Sequence, residues 1–347
     1  MKDNEIVLGV TVGEIAAAFA DYKAKHGKQP DPDTALQFPI NLQQIGLDQL
    51  IKNYQFSSYD SQAYNKAFIE LVSRGNSHNS SFIYDTSIFT RYKRPLSQYM
   101  NRMPESTLQI GPGGSLGCEV LMCMSSVKEA FTIDPFPLMT FDIDNYMNSL
   151  GSLFNTVKLF EGINGFSAST LQIPDYKTVE KGIYKIGSST IKHIYPRMFE
   201  DTGFADESVD YLFSHATLEH VRSPLKCVQE THRVLKPGGL TAHCIDLRDH
   251  RNFDTPLGFL KESDASWSAM MEEYCKHDAS GYMNRWRSSE FVSAFEKTGF
   301  KVLEVNPEMK ISDDILDSEL PHLDNKFKTY KREDLGVITV FIVAQKI

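Results

Sequence analysis

A dense run of glycines is the first feature of the sequence that could take part in chemistry. The stretch LQIGPGGSLG places Gly111, Gly113 and Gly117 in the spacing G-x-G-x-x-x-G, directly after an apolar run. Because glycine has no side chain, such a turn lets a ligand lie against the backbone near the start of a helix. Taken alone the pattern is weak, since ordinary tight turns and dinucleotide-binding folds use similar strings.

An acidic residue after the next predicted strand makes the glycine turn more specific. Asp134 follows the apolar stretch EAFTI and precedes Pro135. A carboxylate in this place can accept hydrogen bonds from both hydroxyl groups of a ribose. The alternative is that Asp134 only caps a turn. Together the two features predict a ligand that contains a nucleoside.

The densest group of ionisable residues follows a later strand, in the stretch HCIDLRDHRNF. Histidine suits proton transfer because its pKa lies near neutral pH. We predict that His250 is a general base, with Asp246 or Asp249 orienting its ring. The alternative is a solvated loop whose Asp and Arg residues pair with each other. His215 is the second candidate for the base, and His243 is expected to be a core residue.

These residues need a sheet that brings them together. From about residue 107 the sequence alternates β-rich runs with helical spacings, which predicts an α/β, doubly wound, mostly parallel sheet. Ligands bind beyond the carboxyl ends of the strands in such sheets. The β-branched residues 336–347 follow another late strand without a crossover helix, which predicts an antiparallel hairpin at the sheet edge. The other predicted strands are residues 107–111, 129–134, 190–195, 209–214 and 240–246.

Two regions exceed what this sheet requires. Residues 1–100 are predicted to be a mainly helical extension or cap, because residues 12–27 and 61–75 have amphipathic patterns that end at glycine. Residues 101–347 then form the sheet domain, with an insertion at about 140–188. Both regions could cover the ligand. The alternative is a surface extension or a contact in a homo-oligomer.

The composition narrows the class of protein. With 347 residues, 41% of them hydrophobic, the chain is long enough to bury a full core. A formal charge of −9 and the lack of a long Lys/Arg run argue against nucleic acid as a partner. No window holds the roughly 18 apolar residues of a membrane span, and no secretory signal is evident, so we expect a cytoplasmic protein. The five cysteines are expected to be reduced core thiols.

Four motifs in order give the sequence a resemblance to a known family. IGPGG, IDPF, LEHV and RVLKPGG follow one another between residues 110 and 239. In this combination the chain resembles the class I S-adenosylmethionine-dependent methyltransferases over about residues 105–345. IDLRDH and NRWR are similar to a subgroup of O-methyltransferases associated with sugars and polysaccharides. The resemblance implies a Rossmann-like fold with a seven-stranded sheet and S-adenosylmethionine as cofactor.

The resemblance also implies which residues bind the cofactor. The glycine turn should lie along its methionine and ribose, Asp134 should hold the ribose hydroxyls, and the stretch YPRMF should close over the adenine. The turn after the fourth strand should face the sulfonium. The residues implied in this way are Gly111, Pro112, Gly113, Gly114, Asp134, Pro135, Phe136, Met198, Phe199, Ser214, His215 and Ala216. Two departures from the family are Met198 and Gln109, which stand where acids are usual.

The implied reaction is an in-line transfer of a methyl group to a hydroxyl of a sugar-like or small polar acceptor, which is a small molecule or a glycan. Arg248, Arg285 and Arg287 are expected to bind a carboxylate or phosphate of this acceptor. The alternative for the last two is that they only solubilise a helix start. An N-methyltransferase and a non-catalytic cofactor-binding scaffold stay open, and Gln109 favours the scaffold.

Glu219 and His220 resemble part of the E-x-x-E-H metal motif of some O-methyltransferases. Ala216 stands where that motif has its first Glu. Two remaining ligands make a poor site for a divalent ion, so we expect no metal.

Overall fold

The computed structural model of the protein describes residues 6–7, 10–11, 17–18, 20–21, 24–25, 80–100, 102–158 and 172–347. The predicted N-terminal extension, with its amphipathic patterns, lies mostly outside this part of the chain. Among the described residues, no helix combines the length and the apolar character that a membrane crossing requires.

The strands of the described residues alternate with helices from residue 106 onward. The strands are β1 (Ile6–Val7), β2 (Val10–Thr11), β3 (Ser106–Ile110), β4 (Glu129–Ile133), β5 (Tyr176–Glu180), β6 (Ile183–Ile186), β7 (Ser189–Ile194), β8 (Val209–His215), β9 (Leu235–Asp246), β10 (Phe300–Lys310) and β11 (Val337–Lys346). The helices are α1 (Ser80–Pro95), α2 (Gly117–Met124), α3 (Ile143–Lys158), α4 (Pro224–Val234), α5 (Asp264–Tyr274), α6 (Ser288–Thr298), α7 (Asp313–Glu319) and α8 (Arg332–Leu335). Short 3₁₀ turns include Leu218–His220.

Nine of the strands form one mixed sheet in the order β10-β11-β9-β8-β3-β4-β7-β6-β5. The five strands from β9 to β7 in this order pair in parallel. All residues of β3 are buried, which is typical of a parallel strand covered on both faces. The last strand, β11, runs antiparallel to β9 and β10. These pairings confirm the predicted Rossmann-like sheet and its antiparallel last strand, but α7 and α8 lie between β10 and β11, where no helix was predicted.

The sheet has nine strands where seven were expected, because the predicted insertion adds two. β6 pairs antiparallel with β7, and β5 lies beyond it at the edge. Gly182 and Gly187 have positive φ, which permits the tight turns before and after β6. Without β5 and β6, the remaining seven strands match the expected number.

The main core lies between the sheet and two of its helices. It joins residues of β3, β8, β9 and β11 to apolar residues of α4 and α6, among them Leu108, Leu212, Val228, Phe295 and Ile342. His243 of β9 is fully buried, and its ring bonds to Ser214 and Thr241. It is therefore a satisfied core residue, as its position within a predicted strand suggested.

The chain divides into two compact units. One comprises the described residues of 1–90, 115–121 and 140–178, and the other those of 91–114, 122–139 and 179–347. All the site residues predicted from the sequence fall in the second unit.

Two buried acids characterise the first unit. Asp85 of α1 accepts a hydrogen bond from Ser115 Oγ at 2.6 Å, and burial raises the pKa of Asp85 to about 7. Glu119 of α2 is 1% exposed, and neither of its carboxyl oxygens has a hydrogen-bond partner in the part of the chain that the structure describes. Burial raises the pKa of Glu119 to about 8. Both carboxyls are therefore protonated in the folded protein at mildly acidic pH.

Two arginines predicted to bind substrate make hydrogen bonds within the fold. Arg287 is fully buried and donates to the carbonyls of Leu247 (2.7 Å), Leu335 (3.1 Å) and Val337. Burial lowers the pKa of Arg287 to about 10, so it stays charged at neutral pH. It therefore anchors the start of α6 to the segments that flank β9 and β11.

Arg285 is 6% exposed and is held in a similar way. It donates to the Phe259 carbonyl at 3.0 Å, to the Glu262 carbonyl and to the Asp264 carboxylate. The guanidinium groups of Arg285 and Arg287 thus make their hydrogen bonds within the fold, and binding of the acceptor by these residues stays a prediction.

The Glu119→Gln variant should remove a pH-dependent loss of stability. The folded state holds a proton on Glu119 that the unfolded chain releases above its ordinary pKa of 4.5. Wild-type stability should therefore fall as pH rises from about 4.5 to about 8, by roughly 2–4 kcal/mol more than in the variant. Denaturant unfolding between pH 5 and 9 measures this, with Glu129→Gln as control because its side chain is 53% exposed. Parallel pH profiles for wild type and Glu119→Gln would contradict it.

The Arg287→Met variant should lower the free energy of unfolding by about 3 kcal/mol or more, because three buried carbonyls lose their donor. Chemical denaturation measures this. The control is Arg102→Met, whose side chain is 62% exposed, with an expected change below about 0.5 kcal/mol. Equal, small losses in both variants would show that Arg287 does not anchor the fold.

Candidate active site

The glycine turn follows β3, and its glycines differ in their surroundings. Gly111 has a φ of +67°, and a Cβ there would lie 2.5 Å from the Cγ2 and Oγ1 atoms of Thr217. Gly113 has a φ of +66°, and a Cβ there would meet no atom of the described residues within 4 Å. Gly111 is thus required by packing against the turn after β8, whereas Gly113 borders free space. Pro112 and Gly114 complete the turn, and Gly114 is exposed.

Asp134 directly follows β4 and is buried, with 3% of its surface exposed. Its Oδ1 atom accepts a hydrogen bond from the Phe136 N–H at 2.8 Å. Burial raises the pKa of Asp134, and hydrogen bonds from the N–H groups of Phe136 and Gly113 lower it in part. The carboxylate therefore links the loop after β4 to the glycine turn after β3.

Main-chain hydrogen bonds join further loops to this edge of the sheet. The Arg197 N–H, after β7, donates to the Asp134 carbonyl at 2.9 Å, and the Ala216 N–H, after β8, donates to the Cys244 carbonyl at 2.9 Å. The Gly111 N–H donates to the Ile133 carbonyl at 3.0 Å. The structure thus brings the predicted turns together beyond the carboxyl ends of the parallel strands.

The residues predicted to flank the adenine differ in exposure. Pro135 and Phe136 are half-buried, and the side chain of Met198 is 50% exposed. Phe199 is 8% exposed and packs in the main core. Its ring therefore leaves little surface for a ligand.

Sequence reasoning missed Tyr92 of α1, which supports the turn after β8. It is fully buried, and its hydroxyl donates to the Ser214 carbonyl and accepts from the Cys244 N–H at 3.1 Å. The same hydroxyl lies 3.3 Å from His215 Nδ1. No nearby motif marks this tyrosine, because its partners lie more than a hundred residues away in the sequence.

His215 is a weak candidate for a base. Burial, and next the charge of Arg91, lower the pKa of His215 to about 3. Its imidazole is therefore neutral at physiological pH but has little affinity for a proton.

The structure distinguishes between the two acids that were predicted to orient His250. The His250 Nε2 atom lies 3.4 Å from Asp246 Oδ2, whereas Asp249 is buried and forms an ion pair with Arg251 at 2.7 Å. Asp246 is therefore the acid beside His250, and the prediction of Asp249 for this role is wrong.

The Asp246 carboxylate is held in its charged form. Burial alone would raise the pKa of Asp246, but Arg248 and His250 outweigh it and keep that pKa below its usual range. The Arg248 Nε atom donates to Asp246 Oδ1 at 2.9 Å, and the Arg248 side chain is 13% exposed. The guanidinium group of Arg248, which was predicted to bind the acceptor, is thus mainly paired with Asp246.

Glu219 and His220, which the sequence suggested as an incomplete set of metal ligands, lie close to a third possible ligand, His250. Glu219, His220 and His250 each offer one ligand atom, and these atoms lie within 4.8 Å of one another. The rings of His220 and His250 have their centroids 4.9 Å apart. Sequence reasoning missed this group because about thirty residues separate His250 from the other two.

Comparison with known protein families identifies part of the sheet. Residues 185–242 match the family model described as a methyltransferase domain. This segment contains the LEHV and RVLKPGG motifs and the turn after β8. No curated protein matches the sequence.

Several solved structures are similar to this chain at low identity. The YcgJ protein of Bacillus subtilis is 14% identical, over 74% of this chain and 98% of that chain, with a TM-score of 0.37. Phosphoethanolamine N-methyltransferase 2 of Haemonchus contortus, solved with S-adenosyl-L-methionine, is 16% identical, over 74% and 52%, with a TM-score of 0.38. The Haloferax volcanii complex of the activator Trm112 with a methyltransferase is 16% identical, over 76% and 93%, with a TM-score of 0.37.

With TM-scores below 0.5, these structures add nothing to what the family match and the strand pairing show. The matched segment runs from β6 into β9 and so covers the parallel strand whose turn contacts Gly111. The strand pairing is that of a Rossmann-like sheet, and residues 185–242 within it are similar to a methyltransferase domain.

Proposed function

We propose that the protein transfers a methyl group from S-adenosylmethionine to a hydroxyl of a sugar-like or other small polar acceptor. The observation that carries this proposal is the position of Asp134. This buried carboxylate at the end of the second parallel strand accepts hydrogen bonds from the N–H groups of Gly113 and Phe136. A carboxylate in this place can also accept hydrogen bonds from the two hydroxyl groups of a ribose.

The cofactor would lie along the glycine turn. Its methionine and ribose would contact residues 111–114, where Gly113 leaves open space. Pro135, Phe136 and the exposed side of Met198 would flank the adenine. The turn of residues 214–216 would lie near the sulfonium, and Tyr92 would hold that turn in place through Ser214.

Methyl transfer to a hydroxyl requires alignment of donor and acceptor and removal of the hydroxyl proton. His250 is our proposed base. Asp246 is charged and lies 3.4 Å from it, so it would stabilise the imidazolium formed when the ring accepts the proton. The lowered pKa of His215 makes that residue the poorer choice.

A cavity next to the histidines supports a polar acceptor with an apolar face. It has a volume of about 570 Å³ and is lined in part by Trp267, Met271, Tyr282 and the charged residues Arg222 and Glu272. One lining residue, Tyr282, is hydrogen-bonded through its carbonyl to His220 Nδ1 at 2.7 Å. Aromatic surface with a few charged groups is typical of sites for small polar ligands.

The Gly113→Ala variant should bind S-adenosylmethionine at least about tenfold more weakly, because its methyl group would project into the space assigned to the cofactor. Its stability should fall by only about 1 kcal/mol, from the positive φ. Gly111→Ala is the matched variant, in which the clash with Thr217 should mainly destabilise the fold. Calorimetric titration and denaturant unfolding separate the two effects. Unchanged affinity in a folded Gly113→Ala variant would contradict the proposed cofactor position.

The His250→Ala variant should lower kcat by about 10²–10⁴-fold with little change in S-adenosylmethionine affinity, because it removes the proposed base. The assay is acceptor-dependent release of S-adenosylhomocysteine from a panel of nucleotide sugars, glycans and amines. His277→Ala is the control, because that side chain is 82% exposed. Wild-type turnover by His250→Ala would eliminate this role. Transfer to amines alone would favour the N-methyltransferase, and cofactor binding without any release would favour the scaffold.

A further inference from the structure

We propose that Glu219, His220 and His250 form a binding site for one divalent transition-metal ion. The site lies at the end of the 3₁₀ turn Leu218–His220 after β8 and beside the loop after β9. Three observations carry it: a buried carboxyl group that forms no ion pair among the described residues, a histidine held in the form that binds metals, and a second histidine whose ligand atom lies within 4.8 Å of the other two.

Glu219 forms no ion pair among the described residues, although the charge of Arg248 acts on it. It is 4% exposed, and neither carboxyl oxygen makes a hydrogen bond. The side chain lies beside the charged Asp246, so a second negative charge at this buried place is unfavourable. A buried carboxylate is expensive unless a proton or a cation neutralises it.

The two histidines supply the other ligands. His220 Nδ1 lies 2.7 Å from the Tyr282 carbonyl, so Nδ1 carries the proton and the neutral ring leaves the lone pair on Nε2. A histidine that binds a metal is commonly oriented by such a hydrogen bond. His250 Nε2 is buried and makes no hydrogen bond, and Asp246 Oδ2 lies 3.4 Å from it.

The backbone under these ligands is rigidly held. Asn284 is buried, and its side-chain nitrogen donates to the carbonyls of Leu218 at 2.7 Å and Val221 at 3.1 Å. Its N–H donates to the Glu219 carbonyl at 2.8 Å. Both ends of the turn that carries Glu219 and His220 are therefore fixed, as a site with defined ligand geometry requires.

The ligand types select the class of ion. Two imidazoles and one carboxylate suit Zn²⁺, Co²⁺ or a similar ion better than Mg²⁺ or Ca²⁺, which prefer oxygen ligands. Three protein ligands leave coordination positions for water or for an oxygen of the acceptor.

The inference deepens the proposed function and rests on it in one respect. An acceptor hydroxyl bound to the ion would lose its proton more readily. His250 would then act as a ligand, so the ion would make the hydroxyl more acidic and its proton would pass to solvent water instead of to the imidazole. The binding site itself requires no methyl transfer.

The test is metal binding by the full chain after treatment with a chelator. Titration with Zn²⁺ and Co²⁺, followed by calorimetry and elemental analysis, should give one ion per chain, and the ion should raise the midpoint of thermal unfolding. Glu219→Gln and His220→Ala should each weaken binding at least about tenfold. His277→Ala and Glu129→Gln, which change exposed side chains, should bind like wild type.

S-adenosylmethionine affinity measured on the same samples shows whether each variant is folded and separates the two proposals. Wild-type protein that binds the cofactor but no metal ion would overturn the metal site and leave the proposed function standing. Equal metal affinity in wild type, Glu219→Gln and His220→Ala would place the ion elsewhere and would also overturn it. Metal binding without cofactor binding would retain the metal site and refute the proposed function.

Discussion

The buried carboxylate of Asp134 is the interaction on which the candidate site depends. It costs free energy to hold this group away from water, and the N–H groups of Gly113 and Phe136 offset that cost only in part. The arrangement fixes the loops after β3 and β4 relative to each other. Since the Arg197 N–H also bonds to the Asp134 carbonyl, the loop after β7 is joined to the same point. One residue thus organises three of the loops in which a ligand would lie.

A second set of charges lies beyond β8 and β9. Asp246 is shared between Arg248 and His250, and burial, followed by the charge of Asp246, raises the pKa of the nearby Glu219. Two carboxylates in a largely buried place need positive charge, and Arg248 is directed to only one of them among the described contacts. Either a proton on Glu219 or a bound cation would neutralise the second carboxylate. With a proton on Glu219, His250 is the proposed base, and with a bound cation it is a metal ligand.

Much of the sheet could be predicted because its signals are local. Each parallel strand is a short apolar run followed by a polar or glycine-rich turn, and such turns fall at one edge of a parallel sheet, so Gly111, Asp134 and His250 could be placed there from the sequence. Strands β5 and β6 escaped prediction because they are short and mostly exposed or half-buried, without a clear alternation of apolar residues.

The side-chain partners could not be predicted, because they depend on contacts between distant segments. Arg285 and Arg287 have the composition of an anion-binding segment, but carbonyls more than twenty residues away take up their donors. The preference of His250 for Asp246 over Asp249, and its approach to Glu219, depend on how the loop after β9 folds. Sequence spacing carries no information on either point.

The most direct measurement of the central claim is a crystal structure with S-adenosylhomocysteine bound. The ribose hydroxyls should lie within hydrogen-bonding distance of the Asp134 carboxylate, with the methionine portion along Gly111 and Gly113. A well-ordered nucleoside bound elsewhere, with the Asp134 carboxylate bonded only to Gly113 and Phe136, would contradict the account.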